Sequence, residues 1–139
     1  MSVTEQSYRV YQQNQIMTAS QEKLVLFLYE GALRFLKQAD EACAARDWNK
    51  CNNYLLRSQE IITELQVTLN RERGGQVAES LFLLYDYMLR RLVEANIKKE
   101  RQLIAEVNGL LTELRDAWQQ LILQHQSHNY STNGLRLQG

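Results

Sequence analysis

The chain has 139 residues, enough for one compact domain with a buried core, and hydrophobic residues make up 45% of it. This composition excludes an intrinsically disordered chain. Sixteen Lys and Arg residues balance sixteen Asp and Glu residues, which argues against a protein that binds nucleic acid through a basic field. There is no proline and there are six glycines, a pattern that favours a few long helices joined by short connections.

No apolar run approaches the roughly 20 residues of a membrane span, and the N-terminus lacks the apolar stretch of a signal peptide. The two cysteines, Cys43 and Cys51, do not make a disulfide framework. We therefore expect a reduced cytoplasmic protein without membrane insertion, in which both thiols pack as small apolar groups.

The first segment, residues 1–17, is mostly polar but carries Tyr8, Tyr11 and Ile16. The two tyrosines stand three residues apart, which is the spacing of one face of a short amphipathic helix. Such a helix is too short to be stable alone. It needs a groove to lie in, so we interpret residues 1–17 as an N-terminal flap or cap.

Four longer helices follow. Asp47 is placed to cap the second of them, and Gly74-Gly75 follows it as a stop signal. Apolar residues at helical spacing predict helices over about 20–45, 47–72, 76–98 and 101–125.

Helices of this length with short links pack as antiparallel neighbours. The sequence therefore predicts an all-α protein, an antiparallel four-helix bundle with a short N-terminal helical segment. We place this single domain at residues 1–125. Residues 126–139 are polar and have no apolar period, so we predict a flexible tail there.

The sequence lacks the motifs of helical enzymes. A di-metal bundle needs Glu-x-x-His on its inner faces, and neither His125 nor His128 stands in that motif. These two histidines have the spacing to share a metal, but their place at the end of a helix is more typical of surface histidines. Neither cysteine has a histidine close in sequence that would act as its base. We predict no enzymatic activity, no catalytic residue, no metal and no cofactor.

Basic pairs such as Arg90-Arg91 and Lys98-Lys99 stand among acidic neighbours. This mixture is typical of a solvated helix face. We therefore predict no nucleic-acid partner.

Two stretches are more apolar than the helices of a bundle require, which is about three positions in seven. Residues 24–29 are apolar all round the helix, and residues 81–89 nearly repeat this pattern. Because no helix of a small four-helix bundle is fully central, we predict apolar surface that the bundle does not cover. Such surface would bind a helix of another protein in a groove. Alternatively, neighbouring helices, the N-terminal segment or a homodimer cover this apolar surface.

Gly31 and Gly109 stand in the middle of predicted helices. Each costs about 1 kcal/mol of helix stability relative to alanine. A close approach of two helices would explain them, and so would a bound protein that lies against the backbone.

Several separated segments resemble the flagellar secretion chaperones of the FliS family. They occur in order and at matching spacing over about residues 8–122. Gln21 departs from the family pattern, which usually has proline there. The matching segments are TASQEKLVLFLYEGALRFL at 18–36, LNRE at 69–72 followed by Gly74-Gly75, LYDYM at 84–88 and RRLVEAN at 90–96.

The resemblance implies a helical bundle that binds the C-terminal segment of flagellin in the cytoplasm. Such a chaperone prevents premature polymerisation and helps to present flagellin to the flagellar type III export apparatus, without ATP. The resemblance also implies that the N-terminal segment lies over part of the groove until the client displaces it. Tyr8, Tyr11 and Ile16 match that segment, and packing at the end of the bundle is their alternative role.

Periodicity does not fix which side chains point outward where a stretch is apolar all round. A non-enzymatic helical adaptor or a homodimeric structural bundle is the alternative function. With that alternative open, the expected groove residues are Leu28, Tyr29, Leu69, Leu84, Tyr87 and Met88.

Overall fold

The computed structural model describes the backbone of residues 19–138 and the side chains of residues 20–127. Tyr8, Tyr11 and Ile16 lie outside this part of the chain. The described residues confirm the all-α prediction. They form four helices, α1 (Ala19–Ala44), α2 (Trp48–Thr68), α3 (Arg71–Lys98) and α4 (Arg101–Gln138).

Each helix packs against two neighbours, in a ring of order α1, α2, α3, α4 and back to α1. Contacts at the helix ends show that neighbours run antiparallel. Arg101 at the start of α4 pairs with Asp40 near the end of α1, with Nε and Oδ1 2.9 Å apart. Further along α4, the Trp118 ring nitrogen donates to the carbonyl of Glu22 at the start of α1, at 2.9 Å. The α2–α3 side of the bundle is therefore opposite the α1–α4 side.

The core forms because buried residues recur three and four apart along every helix, which gives each helix one apolar stripe. At its centre, Tyr29 of α1 meets Tyr85 of α3 across the ring, with their hydroxyl oxygens 2.5 Å apart. The hydrogen bond lets two polar groups be buried together. In α1 the stripe consists of Val25, Tyr29, Ala32, Leu36, Ala39, Ala42 and Cys43.

The connection between α2 and α3 differs from the prediction. α2 ends at Thr68 rather than at residue 72, because Leu69 is extended and the Asn70 side chain accepts a hydrogen bond from the Arg73 amide to cap α3. Gly75 has φ 55° and ψ −134°, a conformation that suits glycine. The predicted stop at Gly74-Gly75 is therefore a kink inside α3.

The end of α4 also differs from the prediction. The sequence predicts a helix end near residue 125 and a tail over 126–139, but the helix continues to Gln138. Leu121 and Ile122 fix the preceding turns in the core, and extending an existing helix requires no new nucleus. The polar stretch also has no proline, so loss of apolar periodicity there does not end the helix.

Cys43 and Cys51 are both free and buried, where α1 ends and α2 begins. The Cys43 thiol donates to the carbonyl of Lys99 at 3.5 Å. Burial, and next the neighbouring Cys43, raise the pKa of the Cys51 thiol from 9.0 to about 11. This burial confirms the prediction that the thiols pack as apolar groups.

We expect the raised pKa of Cys51 to make stability fall in alkali. Its contribution is complete below the pKa of the unfolded thiol, near 9.0, and is lost as the pH rises toward 11. Between about pH 8 and pH 10.5, the free energy of unfolding should drop about 1–2 kcal/mol further in the native chain than in Cys51→Ala. Urea denaturation at each pH measures this, and parallel curves for the two proteins would contradict it.

Phe27 and Tyr29 offer a matched test of the core. Tyr29 is 1% exposed and Phe27 is 62% exposed, although they are two residues apart. We expect Tyr29→Ala to lower the free energy of unfolding by about 3–5 kcal/mol, because it leaves a cavity. Phe27→Ala should change it by less than about 1 kcal/mol. Equal losses in urea denaturation would show that the register of α1 is wrong.

Candidate functional site

The bundle leaves large apolar side chains outside its core, as the apolar stretches at residues 24–29 and 81–89 predict. Leu24 of α1 is about half exposed, and Phe27 of α1 and Leu83 of α3 are more than half exposed. Exposed apolar area of this kind marks candidate interaction surfaces. The other large apolar side chains that stand exposed are Trp48, Leu56, Val67, Tyr87, Val93, Ile97 and Leu123.

Two of the expected groove residues lie inside the protein. Tyr29 is 1% exposed and Met88 is fully buried, so neither presents its side chain on the surface of this structure. Both belong to stretches that are apolar all round. Packing against the neighbouring helices, rather than any local pattern, turned these two side chains inward.

Leu28, Leu69 and Leu84 are half-buried and pack against the core. Tyr87 is exposed on the flank of α3 that faces α4, where its hydroxyl donates to Glu106 Oε1 at 2.9 Å. Because α1 and α3 are not neighbours in the ring, Leu28 cannot share one groove between adjacent helices with the α3 residues. The structure therefore does not bring the expected groove residues together.

Arg91 organises the α3–α4 flank near Tyr87. Its guanidinium lies 5.7 Å from the centre of the Tyr87 ring and binds Glu106, with Nε and Oε1 2.8 Å apart. The hydrogen bond from Arg91 holds the pKa of the Glu106 carboxyl below its usual value. The hydrogen bond to Glu106 in turn raises the pKa of Tyr87. This flank is polar and internally paired.

The α2–α3 side carries partly exposed apolar side chains on both helices, and two hydrogen bonds join the helices there. At one end Asn96 donates to Asn52 Oδ1 at 2.6 Å. At the other end the Gln66 side chain donates to the carbonyl of Phe82 at 3.1 Å. Asn52 and Gln66 are about 14 residues apart on α2, or roughly 21 Å along the helix.

Apolar side chains stand along both helices near these hydrogen bonds, and Val67 stands just beyond Gln66. Leu56 is four residues after Asn52 and Val93 is three residues before Asn96, so both lie one turn inside that pair. They are 45% and 46% exposed. Three further residues stand on the same flanks at helical spacing. We call the set the α2–α3 strip: Leu56, Val67, Phe82, Leu89 and Val93.

Charged groups border one end of the strip. The Arg71 guanidinium lies 4.3 Å from the centre of the Phe82 ring and binds Glu79, with Nη2 and Oε2 2.6 Å apart. Arg71 therefore covers Phe82 and leaves the rest of the strip open. An apolar centre with a charged rim is the usual anatomy of a protein-binding surface.

Sequence reasoning missed Leu56 and Val93. Each directly follows a core leucine, Leu55 and Leu92 respectively, and so falls outside the three-and-four spacing of the stripe. An apolar residue next to a core position, but outside the three-and-four spacing, is the sequence feature that indicates such an exposed residue. It is a weak signal, since single exposed apolar residues are common on protein surfaces.

Among the side chains that the structure describes, those of residues 20–127, no group of three His, Cys, Asp or Glu residues is placed to hold a metal ion. None of the helices within residues 19–138 combines the length and apolarity that crossing a bilayer requires.

Comparison with known proteins agrees with this geometry. The family model for the flagellar protein FliS matches residues 4–126. The chain belongs to the FliS family. The flagellar secretion chaperone FliS of Bacillus subtilis is 41% identical over 128 residues, which cover 92% of this chain and 95% of that protein.

More distant FliS relatives match over similar lengths. The flagellar secretion chaperone FliS of Salmonella typhimurium is 36% identical over 76% of this chain and 79% of its own length. The flagellar secretion chaperone FliSB of Pseudomonas aeruginosa is 34% identical over 85% of this chain and 94% of its own. FliS is a family of chaperones rather than enzymes, which confirms both the resemblance and the non-enzymatic prediction.

Proposed function

We propose that this FliS-family chain is a cytoplasmic chaperone that holds the C-terminal helical segment of flagellin. In holding it, the chaperone prevents premature polymerisation and aids flagellar type III export, where components of the export apparatus are further partners. The observation that carries the proposal is the α2–α3 strip, a set of partly exposed apolar side chains on two adjacent helices. The relatives, named as flagellar secretion chaperones, support the same conclusion.

The dimensions of the strip suit one helix of the client. A length of roughly 21 Å accommodates a helix of about 14 residues. Ordering a disordered client costs about 2–5 kcal/mol. At about 25 cal/mol per Å², burying about 200 Å² of apolar surface offsets that cost. Five apolar side chains of the strip, with their counterparts on the client, can supply an area of this order.

The N-terminal flap belongs to the same proposal. Tyr8, Tyr11 and Ile16 cover apolar surface of the chaperone when no client is present and give way when the client binds. Support comes from the sequence order, since the flap leads directly into the part of α1 that exposes Leu24 and Phe27. A flap that competes with the client lowers client affinity and shields apolar area from aggregation.

Titration calorimetry with a peptide of the flagellin C-terminal segment tests the proposal. We expect a complex with micromolar or tighter affinity. The double variant Leu56→Ser/Val93→Ser should weaken it at least about tenfold, which corresponds to about 1.4 kcal/mol. Leu123→Ser is the matched control, because Leu123 is an exposed leucine on α4, away from the strip. Absence of heat together with absence of any complex at micromolar concentrations would refute the proposal.

Sedimentation of the chain without the peptide separates the proposal from the homodimer alternative. A chaperone with an open strip should sediment as a monomer. If the chain instead forms a dimer that Leu56→Ser/Val93→Ser dissociates, and the peptide does not bind, the strip is a self-association surface. In that case we would interpret the chain as a homodimeric structural bundle rather than as a chaperone that binds its client on the strip.

A further inference from the structure

A second concave surface lies on the opposite side of the bundle from the α2–α3 strip. There α1 and α4 enclose a groove of about 590 Å³, which is within the range of specific binding sites. Its floor is apolar, formed by Leu33, Leu36 and Ile104. Its α1 wall runs from Glu30 to Asp40, or about 15 Å at 1.5 Å per residue. That length matches about three turns of a helix.

The middle of the α4 wall of this groove is built from short side chains, and Gly109 stands beside that wall on the same helix. Ala105 and Thr112 line the groove, and Gly109 stands between them, four residues after one and three before the other. A Cβ on Gly109 would meet nothing within 4 Å. A Cβ on Gly31 would lie 3.3 Å from Ile61 Cδ1, so the packing of α1 on α2 explains Gly31. The space beside the Cα of Gly109 is open, so nothing within the bundle requires a glycine there.

The charges of the groove are arranged with the positive ones in the middle. Arg34 and Lys37 stand one turn apart on α1, and neither forms an ion pair with a described carboxylate. Asp40 at one end is already paired with Arg101, at 2.9 Å. The α4 wall facing the middle of the groove is uncharged. Two carboxylates one turn apart on a bound helix would neutralise Arg34 and Lys37.

Arg115 and Glu30 lie at the other end of the groove. Arg115 binds Asp116, its neighbour in sequence, with Nε and Oδ1 2.7 Å apart. Glu30 is the remaining anion of the lining and stands one turn before Arg34. The Glu30 carboxylate would repel a carboxylate of the bound helix at this end of the groove. Carboxylates of the partner are therefore expected only beside the two middle turns, at Arg34 and Lys37.

We propose that the α1–α4 groove docks an amphipathic, acidic helix of about three turns from a second protein partner. The apolar side of that helix contacts Leu33 and Ala105, and its carboxylates face Arg34 and Lys37. Because the groove is opposite the α2–α3 strip, both surfaces can be occupied at once. This inference goes beyond the proposed flagellin site and does not depend on it.

A pair of designed helical peptides of about 14 residues, about one turn longer than the groove, tests the charge preference. Both carry the same leucine face, and one has two Glu residues one turn apart where the other has Lys. In fluorescence anisotropy with the full chain, we expect the Glu peptide to bind at least about tenfold more tightly than the Lys peptide. Arg34→Glu/Lys37→Glu should reverse this preference. Equal affinities, or no binding of the Glu peptide, would overturn the proposal.

Bulky substitutions locate the bound peptide. Ala105→Trp fills the groove from an exposed position and should weaken the Glu peptide at least about tenfold without lowering the midpoint of thermal unfolding. Ser80→Trp places the same side chain at an exposed site on α3 and should leave binding unchanged. If Ala105→Trp does unfold the chain, the charge reversal at Arg34 and Lys37 still decides the proposal.

Variants of the α2–α3 strip separate this site from the proposed flagellin site. Leu56→Ser/Val93→Ser should not change the affinity for the Glu peptide, even if it abolishes binding of the flagellin peptide. Loss of both peptides in that variant would show that the Glu peptide lies on the strip, which overturns the groove proposal. A dimer that Arg34→Glu/Lys37→Glu dissociates would overturn it too, since a second copy of the chain would then be the occupant.

Discussion

Each helix of this bundle has two neighbours, and this closed ring is the constraint on which the rest of the molecule depends. A helix in such a ring can bury one stripe of side chains and must leave its outer side to solvent or to a partner. Tyr29 and Tyr85 occupy the buried stripes and meet at the centre. Phe27 and Leu83 belong to the same apolar stretches, yet the ring has no place for them inside.

The two opposite sides of the ring carry different chemistry. The α2–α3 strip is formed by apolar side chains of two helices, and the charged groups at one of its ends, Arg71 and Glu79, pair with each other. The α1–α4 groove is concave, and Arg34 and Lys37 stand unneutralised in its middle. In our proposals the first surface holds a client mainly through apolar burial, and the second selects its partner through charge. This separation would allow one small chaperone to hold flagellin while it contacts another protein.

Much of the fold can be predicted from the sequence, because the apolar spacing and the capping residues of a helix are close together along the chain. α1 was predicted over 20–45 and is found at Ala19–Ala44, and Asp47 caps α2 as expected by accepting a hydrogen bond from the Lys50 amide. The errors occur where local signals conflict. Gly74-Gly75 is a typical helix stop, but in the structure it forms a kink inside α3. Asn70 caps α3 four residues earlier, so both glycines lie within that helix. The polar stretch after residue 125 lacks periodicity but remains helical.

The sequence by itself determined the helical class, the four helices found within residues 19–138, the family and the presence of surplus apolar residues. These properties depend on spacing and order along the chain, which need no knowledge of neighbours. Only the tertiary structure decided which apolar residues face outward, because packing against the adjacent helices sets the rotation of each helix about its own axis. The rotation of α3 places Met88 in the core. The rotations of α2 and α3 leave Leu56 and Val93 exposed, although each directly follows a core leucine. The tertiary structure also places the α1–α4 groove opposite the α2–α3 strip, a relation between distant segments that no local pattern contains.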